Sequence, residues 1–599
     1  MFVSTGPSTK KLATFEATLL EPIPEPNHLW IPAALPAAVA WPDAEAPLWR
    51  FVNAAMAPLV GRDCSDECRA ALENFPIALE PEAGVLALQL HRGPTLSFKD
   101  VGCRVAAELH RTFLRDGRRR VLVATSGDTG SAAAHAFDDV CVLYPGGRVS
   151  RFQEQQMLGH ESAVCLAVPG DFDDCQRLAK QVLRDGGAVS SNNVSLARLL
   201  PQVGIYAWAA VRAPHRVFFV PSGNYGNATA CLMAKRMGAP IERIHLACNE
   251  NGRALVATLR HGQPYEPAPT TVRTPATAMD VGRPSNAVRL FHYLRGHRDV
   301  SASVVTNQEI RQMTDRATCP HTSCALHAAL RADVPGPIVV RTADAAKFVG
   351  ANTNPRPPYV LLDPSVLTQR ACRSLLLVGL PGADKTTLST MLGGVDSDCE
   401  MVHDLGKKDL AEAIAMFKTP EAFLEHEGNF VVRLLLNHAV VATGASAAHS
   451  QALRRHLKDS SDVLVVLLEQ GGVAAVVPSD NSVESSQLKH MRRLLCPLFR
   501  SVAHLKLRTD MWDPRRCAAA LRSTMRFFGF SAPIFEYFPD SVFARRQQLE
   551  LLKKNNADRR QQRQEGQEGE EGQEGQEGQE RQEGQEGKEG QERQERQER

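Results

Sequence analysis

Short apolar runs alternate with longer amphipathic runs along the first 350 residues of the chain. The runs "RVLVAT" and "HRVFFVPSG" are rich in β-forming residues, whereas "NATACLMAKRMG" has the composition of a helix. This alternation is typical of α/β units around a largely parallel sheet. A further unit of the same kind, "RSLLLVGLPGADKTTLSTML", begins near Cys372 and predicts a second α/β domain.

Two breaks interrupt this pattern. The segment 350–370, "GANTNPRPPYVLLDPSVLTQR", contains four prolines, which end any periodicity. The segment 561–599 has no apolar residue and is built from "QEG" and "QER" units, so it cannot offset the entropy of folding with a buried core. We therefore predict a first domain over 1–350, a linker over 351–371, a second domain over 372–530 and a disordered tail over 545–599. A helical or partner-binding tail is the alternative.

The composition favours an ordinary globular protein that acts on small molecules. At 599 residues the chain is long enough for two or more domains. Its 43% hydrophobic and 23% charged residues lie near the averages for globular proteins. A formal net charge of +2 gives no reason to expect nucleic acid or a membrane as the main partner.

The cysteines and the chain start predict a cytoplasmic location. The closest pair among the 14 cysteines, Cys64 and Cys68 in "CSDEC", lacks the spacing of a zinc site, so we expect free thiols in a reducing compartment and no metal. No apolar run reaches the ~18 residues of a membrane span. The start "MFVSTGPSTKKLATFEATLL" has no apolar core of a signal peptide.

Three loops in the first domain carry candidate chemistry. "ATSGDTGSAAAHAF" and "VPSGNYGNATACLMAK" each place glycines between a strand and a helix, where backbone N–H groups bind phosphate. "GPTLSFKD" places Lys99 just before a helical run. Two phosphate-type loops and a lysine suggest a phosphorylated aldehyde cofactor such as pyridoxal phosphate (PLP), which needs a lysine for a Schiff base. A solvated surface lysine is the alternative.

These loops belong to an ordered set of motifs that resembles a known family. "GPTLSFKD", "ATSGDTGSA", "NNVSLARLLPQ", "PSGNYGNATA", "TPATAMDVGRPSNAVRL", "PHTS" and "RTADAAKF" occur in the order found in threonine synthases, which are fold type II PLP enzymes related to tryptophan synthase β. The resemblance covers roughly residues 1–350. It implies an α/β fold and PLP as cofactor. The start "MFVSTG" also resembles the native beginning of that family, so we expect no long presequence and a cytosolic location.

The resemblance also implies roles for individual residues. Lys99 would bind PLP covalently and move protons on the substrate, and Thr342 would face the pyridine nitrogen. His321 in "PHTS" is interpreted as a structural loop histidine. The cofactor phosphate would be held by Gly223, Asn224, Tyr225, Gly226 and Asn227. The substrate side would be formed by Ser126, Gly127, Asp128, Thr129, Ser285 and Asn286.

Two positions depart from the family pattern. "PEPNHLWIP" replaces a glycine-rich N-terminal motif, and Cys319 stands before "PHT" where the family usually has aspartate. Both lie outside the cofactor loops. They bear on substrate binding and closure more than on cofactor binding.

The second domain contains an altered phosphate loop. "GLPGADKTT" follows an apolar strand, and its Gly379, Lys385 and Thr386 match the G-x-x-x-x-G-K-[ST] pattern for ATP and magnesium, with Gly382 as a further candidate in the loop. Asp384 replaces the glycine beside the lysine, which adds a Cβ and a negative charge.

The region 372–530 resembles shikimate kinase, a small P-loop kinase. In "VVATGASAAHS" only Gly444 remains of that family's triple-glycine loop, since Ala445 and Ser446 replace the others. Asp404 and Arg433 would correspond to substrate-contacting residues. We favour a degenerate, non-catalytic kinase-like domain over an active kinase.

The leading function is that of a threonine synthase, which converts O-phospho-L-homoserine and water to L-threonine and phosphate. One alternative is a related phospho-lyase that releases a 2-oxo acid, ammonia and phosphate. Another is a bifunctional protein with an active shikimate kinase, and a third is a scaffold with two degenerate domains. The oligomeric state stays open.

Overall fold

The computed structural model describes residues 1–6, 11–114, 120–160, 163–184, 188–268, 270–295, 299–314, 318–348, 359–363, 367, 372–380, 382–460, 462–469, 497–501 and 503–528. The tail predicted over 545–599 and most of the linker predicted over 351–371 lie outside them, so their states stay predictions.

The strands are β1 (Phe2–Ser4), β2 (Leu12–Ala13), β3 (Trp30–Pro32), β4 (Ala78–Glu82), β5 (Val85–Gln89), β6 (Val121–Ala124), β7 (Val140–Pro145), β8 (Ala163–Val168), β9 (Val189–Ser190), β10 (Val217–Pro221), β11 (Arg243–Cys248), β12 (Val300–Val304), β13 (Ile338–Arg341), β14 (Tyr359–Leu361), β15 (Ser374–Gly379), β16 (Val395–Asp396), β17 (Val440–Ala442), β18 (Val463–Glu469) and β19 (Leu505–Arg508).

The helices are α1 (Phe15–Leu20), α2 (Leu48–Val60), α3 (Ser65–Leu72), α4 (Lys99–Phe113), α5 (Asp128–Ala136), α6 (Arg151–Leu158), α7 (Phe172–Arg184), α8 (Leu196–Arg212), α9 (Gly226–Arg236), α10 (Arg253–His261), α11 (Ala287–Leu294), α12 (Asn307–Met313), α13 (Pro320–Leu330), α14 (Lys385–Met391), α15 (Ser397–Asp404), α16 (Leu410–Ala415), α17 (Pro420–Asn437), α18 (Gln451–Asp459) and α19 (Pro514–Phe527).

A six-stranded sheet forms the centre of the first region, in the order β12-β11-β10-β13-β5-β4. All neighbours are parallel except the β4–β5 pair. Every residue of β10 and β13 is buried, as expected for parallel strands that helices cover on both faces. The predicted α/β class of the first region is therefore confirmed.

A ten-stranded sheet joins the rest of the first region to the C-terminal region, in the order β16-β17-β15-β18-β19-β14-β8-β7-β6-β9. Within the segment predicted as a linker, β14 pairs in parallel with β8 and antiparallel with β19. One apolar core runs across this junction and contains Leu166 and Tyr359 together with Leu505. Residues 359–361 of the predicted linker are thus part of the sheet.

Helix α8 positions the centre of the first region because it is buried on nearly every side. A helix that is apolar all round belongs in a core. Gly204 allows α2 to approach closely, since a Cβ there would lie 2.6 Å from the Val52 Cα atom. The one arginine of the buried stretch, Arg198, is 1% exposed and faces the site described below.

Helices of the described part lack the combination of length and apolar character that a bilayer span requires. Across the same residues, no group of three or more histidine, cysteine, aspartate or glutamate side chains is arranged to hold a metal ion. Cys64 and Cys68 lie one turn apart at α3, and burial raises the pKa of both thiols, that of Cys64 to about 11.

Candidate active site

The loops that follow β5, β6, β10 and β13 converge on one cavity between the two large sheets. Ligands of open α/β sheets bind at this carboxyl edge of the strands. We call this space the Lys99 cavity. It is lined by Phe98, Lys99, Ala124, Ser126, Asp128, Thr129, Phe172, Asn192, Asn193, Pro221, Gly223, Asn224, Tyr225, Gly226, Asn227, Ala278, Met279, Val281, His321 and Thr342.

Most residues predicted for cofactor and substrate therefore lie together. Of the predicted set, only Gly127, Ser285 and Asn286 do not line the Lys99 cavity. Gly127 adopts a φ of 126°, and a Cβ there would come within 2.3 Å of the Gln153 side chain. Glycine is thus required at this turn into α5.

Lys99 is the first residue of α4, and its side chain faces the cavity. The amine lies 4.0 Å from the centre of the Phe98 ring. Burial, followed by the charge of Arg198, lowers the pKa of Lys99 to about 8. An unprotonated amine is required for attack on an aldehyde, so this environment suits covalent chemistry near neutral pH.

Arg198 is a neighbour of Lys99 that the sequence analysis did not single out. Its Nη1 atom donates to the Lys99 carbonyl at 3.1 Å, and its Nε atom donates to the Ser191 carbonyl at 2.7 Å. The buried guanidinium repels a protonated Lys99. The motif "NNVSLARLLPQ" contains this arginine, so its position in the order of motifs was the available signal.

The loop after β10 forms a cradle for an anion. Tyr225, at a φ of 57°, is the N-cap of α9, and its side chain makes no capping hydrogen bond. Asn227 accepts from the Tyr206 hydroxyl at 2.6 Å, while its own Nδ2 donor is buried without a partner among the described residues. A Cβ at Gly226 would lie 2.0 Å from the Asn193 Nδ2 atom. An unsatisfied donor at an open helix start fits the phosphate of PLP.

Ser285 and Asn286 lie behind this cradle. The Ser285 backbone N–H donates to the Asn224 Oδ1 atom at 2.5 Å. Asn286 is fully buried and accepts from Arg289 at 3.0 Å. Ser285 thus supports the cradle through Asn224, Asn286 is held by Arg289, and the predicted contact of both residues with substrate stays a prediction.

A buried ion pair joins the loops of the cavity. The Lys347 ammonium lies 2.8 Å from the Asp128 Oδ1 atom and donates to the Thr95 carbonyl at 2.8 Å. The Gln153 amide also donates to Asp128, at 2.9 Å. Burial pushes the pKa of Asp128 up, but the charges of Lys347 and His321 and the hydrogen bonds from Lys347 and Gln153 together outweigh it and bring the pKa down to about 2. The motif "RTADAAKF" contains Lys347, but the sequence did not predict a role for this residue.

Thr342 and His321 complete the wall opposite the cradle. The Thr342 carbonyl accepts from the Phe98 N–H at 2.9 Å, which ties this loop to the lysine loop. The Nε2 atom of His321 accepts from the Ala278 N–H at 3.0 Å. Burial lowers the pKa of His321 to about 4, so the ring is neutral at physiological pH.

The two departures from the family pattern have structural explanations. Cys319 is the N-cap of α13, where its Sγ atom accepts from the Thr322 N–H at 3.4 Å, so it occupies a capping position that suits aspartate. In "PEPNHLWIP", Asn27 adopts a φ of 64°, a conformation that asparagine tolerates. This segment lines a second cavity, described below.

The altered phosphate loop lies between β15 and α14. Asp384 adopts a φ of 58°, and Gly379 and Gly382 also have positive φ values. Lys385 donates to the Leu380 carbonyl at 2.9 Å. The Thr386 hydroxyl donates to Asp396 at 2.5 Å. The two side chains predicted to bind ATP and magnesium, Lys385 and Thr386, thus both form hydrogen bonds to groups of the protein.

The sequence analysis missed two buried carboxylates of this region, Asp398 near Lys385 and Glu427 near Asp398. Burial, with Asp396 nearby, raises the pKa of Asp398 to about 6. Glu427 accepts from the Ser446 hydroxyl at 3.0 Å, and burial raises its pKa to about 7. The predicted substrate contacts Asp404 and Arg433 form an exposed ion pair at 3.4 Å.

A family model described as pyridoxal-phosphate dependent enzyme matches residues 72–341. The chain is 37% identical over 307 residues to a threonine synthase of Haemophilus influenzae, which covers 46% of this chain and 71% of that protein. It is 36% identical over 331 residues to a threonine synthase of Escherichia coli, covering 50% and 76%.

Solved structures give the same relatives. The crystal structure of threonine synthase from Escherichia coli superposes with a TM-score of 0.53 at 30% identity, covering 58% of this chain and 89% of that chain. The yeast threonine synthase structure superposes with a TM-score of 0.50 at 25% identity, covering 59% and 89%.

The first prediction concerns the ionisation of Lys99. PLP-free protein should capture PLP at a rate that rises with pH to a midpoint near 8, because burial and Arg198 lower the pKa of this amine to about 8. Below the midpoint the rate should fall about tenfold per pH unit, since only the neutral amine reacts. Stopped-flow absorbance measures the capture. A midpoint near 10.5, the ordinary value, would contradict this environment. Lys99→Ala is the control and should form no borohydride-reducible link.

The second prediction concerns the buried ion pair. Lys347→Met and Asp128→Asn should each lower the free energy of unfolding by about 3–5 kcal/mol, because each leaves an unpaired buried group. The double variant should lose less than the sum of the two. Urea unfolding of the PLP-free proteins measures this cycle, and the exposed pair Lys11–Glu21 supplies the control variant Lys11→Met, which should change little. Additive losses would show that the pair is not coupled.

Proposed function

The chain belongs to the threonine synthase family of PLP-dependent enzymes, and we propose that it converts O-phospho-L-homoserine and water into L-threonine and phosphate. The predicted resemblance of its first 350 residues to that family is confirmed by the relatives described above. The observation that carries the proposal is the position of Lys99, whose amine shares one cavity with an open helix start suited to phosphate.

The residues of the cavity have separable tasks in this reaction. PLP, when bound, withdraws electrons from the substrate and so makes the proton on Cα acidic. The Lys99 amine is the group available to take protons from Cα and Cβ and to return protons to Cγ and Cα, and a pKa of about 8 suits proton transfer near neutral pH. Phosphate must then leave from Cγ and water must add at Cβ.

The cradle and the opposite wall orient the cofactor. Residues Gly223 to Asn227 would hold its phosphate, and the Thr342 hydroxyl would face its ring nitrogen. Asp128 is neutralised by Lys347, so it adds no free charge to the cavity. The substrate would lie against Ser126 and Thr129, whose hydroxyls can donate to a carboxylate.

The third prediction identifies the product. PLP-loaded full chain incubated with O-phospho-L-homoserine should release L-threonine and phosphate in equal amounts, measured by amino-acid analysis and a phosphate assay. Lys99→Ala should release phosphate about a thousandfold more slowly, because it lacks the amine that transfers the protons. Phosphate accompanied by 2-oxobutyrate and ammonia would instead establish the phospho-lyase alternative. No phosphate release from the intact protein would refute both.

For the C-terminal region we propose a kinase-like domain over 372–530 that has lost catalysis, beside a first domain over 1–350. The support is the sheet order β16-β17-β15-β18-β19. The glycine loop follows β15, the central strand of these five, where the chain connections to the strands on its two sides run in opposite directions, and ligands of α/β sheets bind at such a point. The loss is supported by Asp384, which places a carboxylate and a Cβ beside the lysine of the loop.

A cytoplasmic location and small-molecule partners complete the proposal. They are supported by the near-balanced net charge of +2 and by the buried thiols Cys64 and Cys68. Neither nucleic acid nor a membrane is proposed as a partner.

The fourth prediction tests the altered phosphate loop. Asp384→Gly should tighten binding of Mg-ATP at least about tenfold, because it removes a charge close to the polyphosphate and relieves a residue at a φ of 58°. Asp384→Asn, which tolerates the same backbone, separates the charge from the strain. Isothermal titration calorimetry on the full chain measures both. If the unmodified protein phosphorylates shikimate at ordinary kinase rates of about 1–100 per second, the domain is active and the protein is bifunctional.

A further inference from the structure

A second, larger cavity lies behind the cofactor cradle. Its volume is about 920 Å³, within the range of ligand sites and far above the small voids of a packed interior. It shares no lining residue with the Lys99 cavity. Its walls come from the N-terminal segment 23–29, from α7 and from the stretch 283–291 that includes the start of α11. We call it the rear cavity.

One wall of the rear cavity is cationic. Lys180 and Arg184 lie on α7, and Arg283 lines the same cavity from the loop before α11. None of these three side chains forms an ion pair with any described residue. Burial lowers the pKa of Lys180, and the charge of Asp173 only partly opposes this shift. Arg184 and Arg283 are exposed, so the desolvation cost falls on Lys180, and an anionic partner would stabilise that side chain.

The carboxylates of the rear cavity are engaged elsewhere. Asp173 accepts from the Gly282 N–H at 3.2 Å and from the Thr271 hydroxyl at 3.3 Å. Asp174 pairs with Arg177 at 3.1 Å. Asp171 accepts from two backbone N–H groups at the start of α7. These carboxylates are thus held by neighbouring donors, and Lys180, Arg184 and Arg283 line the cavity without forming an ion pair among the described residues.

The other wall of the rear cavity is apolar. Ile23 and Leu29 contribute aliphatic surface from the N-terminal segment. Tyr265 and Phe291 lie with ring centres 4.8 Å apart. A cationic wall facing an apolar wall selects a molecule with a charged end and a hydrophobic body.

A short chain of hydrogen bonds links the rear cavity to the cofactor cradle. Ser285 lines the rear cavity, and its hydroxyl donates to the Gln176 Oε1 atom of α7 at 2.5 Å. Its backbone N–H donates to the Asn224 side chain, which lines the Lys99 cavity. An anion bound by both Arg283 and Lys180 would hold residues 283–285 in place. Because Ser285 binds the Asn224 side chain, Asn224 would be held as well.

We propose that the rear cavity is a second ligand site, which binds an organic anion with an apolar body through Lys180, Arg184 and Arg283 and couples to the cofactor cradle through Ser285. The site is separate from the proposed reaction, because its cations lie outside the Lys99 cavity. Binding there stabilises the cradle, and bound PLP in turn favours the anion, since coupling between two sites is reciprocal.

The test uses PLP-loaded full chain, in which the cofactor occupies the Lys99 cavity, and the fluorescent probe 8-anilinonaphthalene-1-sulfonate. The probe should bind saturably, and Lys180→Gln/Arg184→Gln should weaken its binding about tenfold or more, as expected when charge-assisted contacts are lost. The uncharged parent compound N-phenyl-1-naphthylamine should bind both proteins equally. Sulfonate binding that is the same in both proteins would overturn the site.

Two control variants separate charge from folding. Lys180→Arg/Arg184→Lys keeps both charges and should retain binding of the sulfonate. Arg151→Gln removes one exposed charge from α6, away from the rear cavity, and should also retain it. Loss of binding in either control would overturn the assignment of Lys180 and Arg184 as the anion ligands.

The coupling has its own measurement. Saturating sulfonate should slow dissociation of PLP, followed by trapping the released cofactor, by about fivefold or more, the low end of usual coupling between sites. The effect should vanish in Lys180→Gln/Arg184→Gln. An unchanged dissociation rate would overturn the link through Ser285. Neither readout depends on turnover, so failure here leaves the proposed reaction intact.

Discussion

The ammonium of Lys347 imposes the constraint on which the active site depends. A fully buried cation must find an anion and further acceptors, because desolvation otherwise costs several kcal/mol. Lys347 finds them in Asp128 and in the Thr95 carbonyl. Asp128 begins α5 beside the ten-stranded sheet, Thr95 lies in the loop before Lys99, and Lys347 follows β13 of the six-stranded sheet. Satisfying one charge therefore fixes three loops relative to one another.

The position of Lys99 follows from this arrangement. Thr95 also donates to Asp100 through its backbone and hydroxyl, which fixes the turn that leads into α4. Arg198 then holds the first turn of α4 from α8 and keeps a positive charge beside the amine. The lowered pKa of Lys99 is a result of packing around the loops as much as of any single neighbour.

Local patterns predicted much of this site, and long-range pairing explains what they missed. The glycine loops after β6 and β10, and a lysine at the start of a helix, are visible in a few consecutive residues. Lys347 and Thr95 are 252 residues apart, and no periodicity relates them. Ser285 belongs to a family motif and was predicted to contact substrate, yet only the fold shows that it binds the Asn224 side chain. In the C-terminal region the sequence predicted the glycine loop. It did not predict the carboxylates Asp398 and Glu427, because only the fold shows that they are buried near each other.

The continuous ten-stranded sheet gives the C-terminal region a structural role that does not depend on nucleotide binding. β8 is almost wholly buried and apolar, and β14 covers its outer side. A chain that ended at the close of the first domain would present β8 as a bare edge, which is a template for pairing with another copy. In the intact chain β14 pairs along that edge and β19 continues the sheet beyond it, so the edge of β8 is not open to another copy.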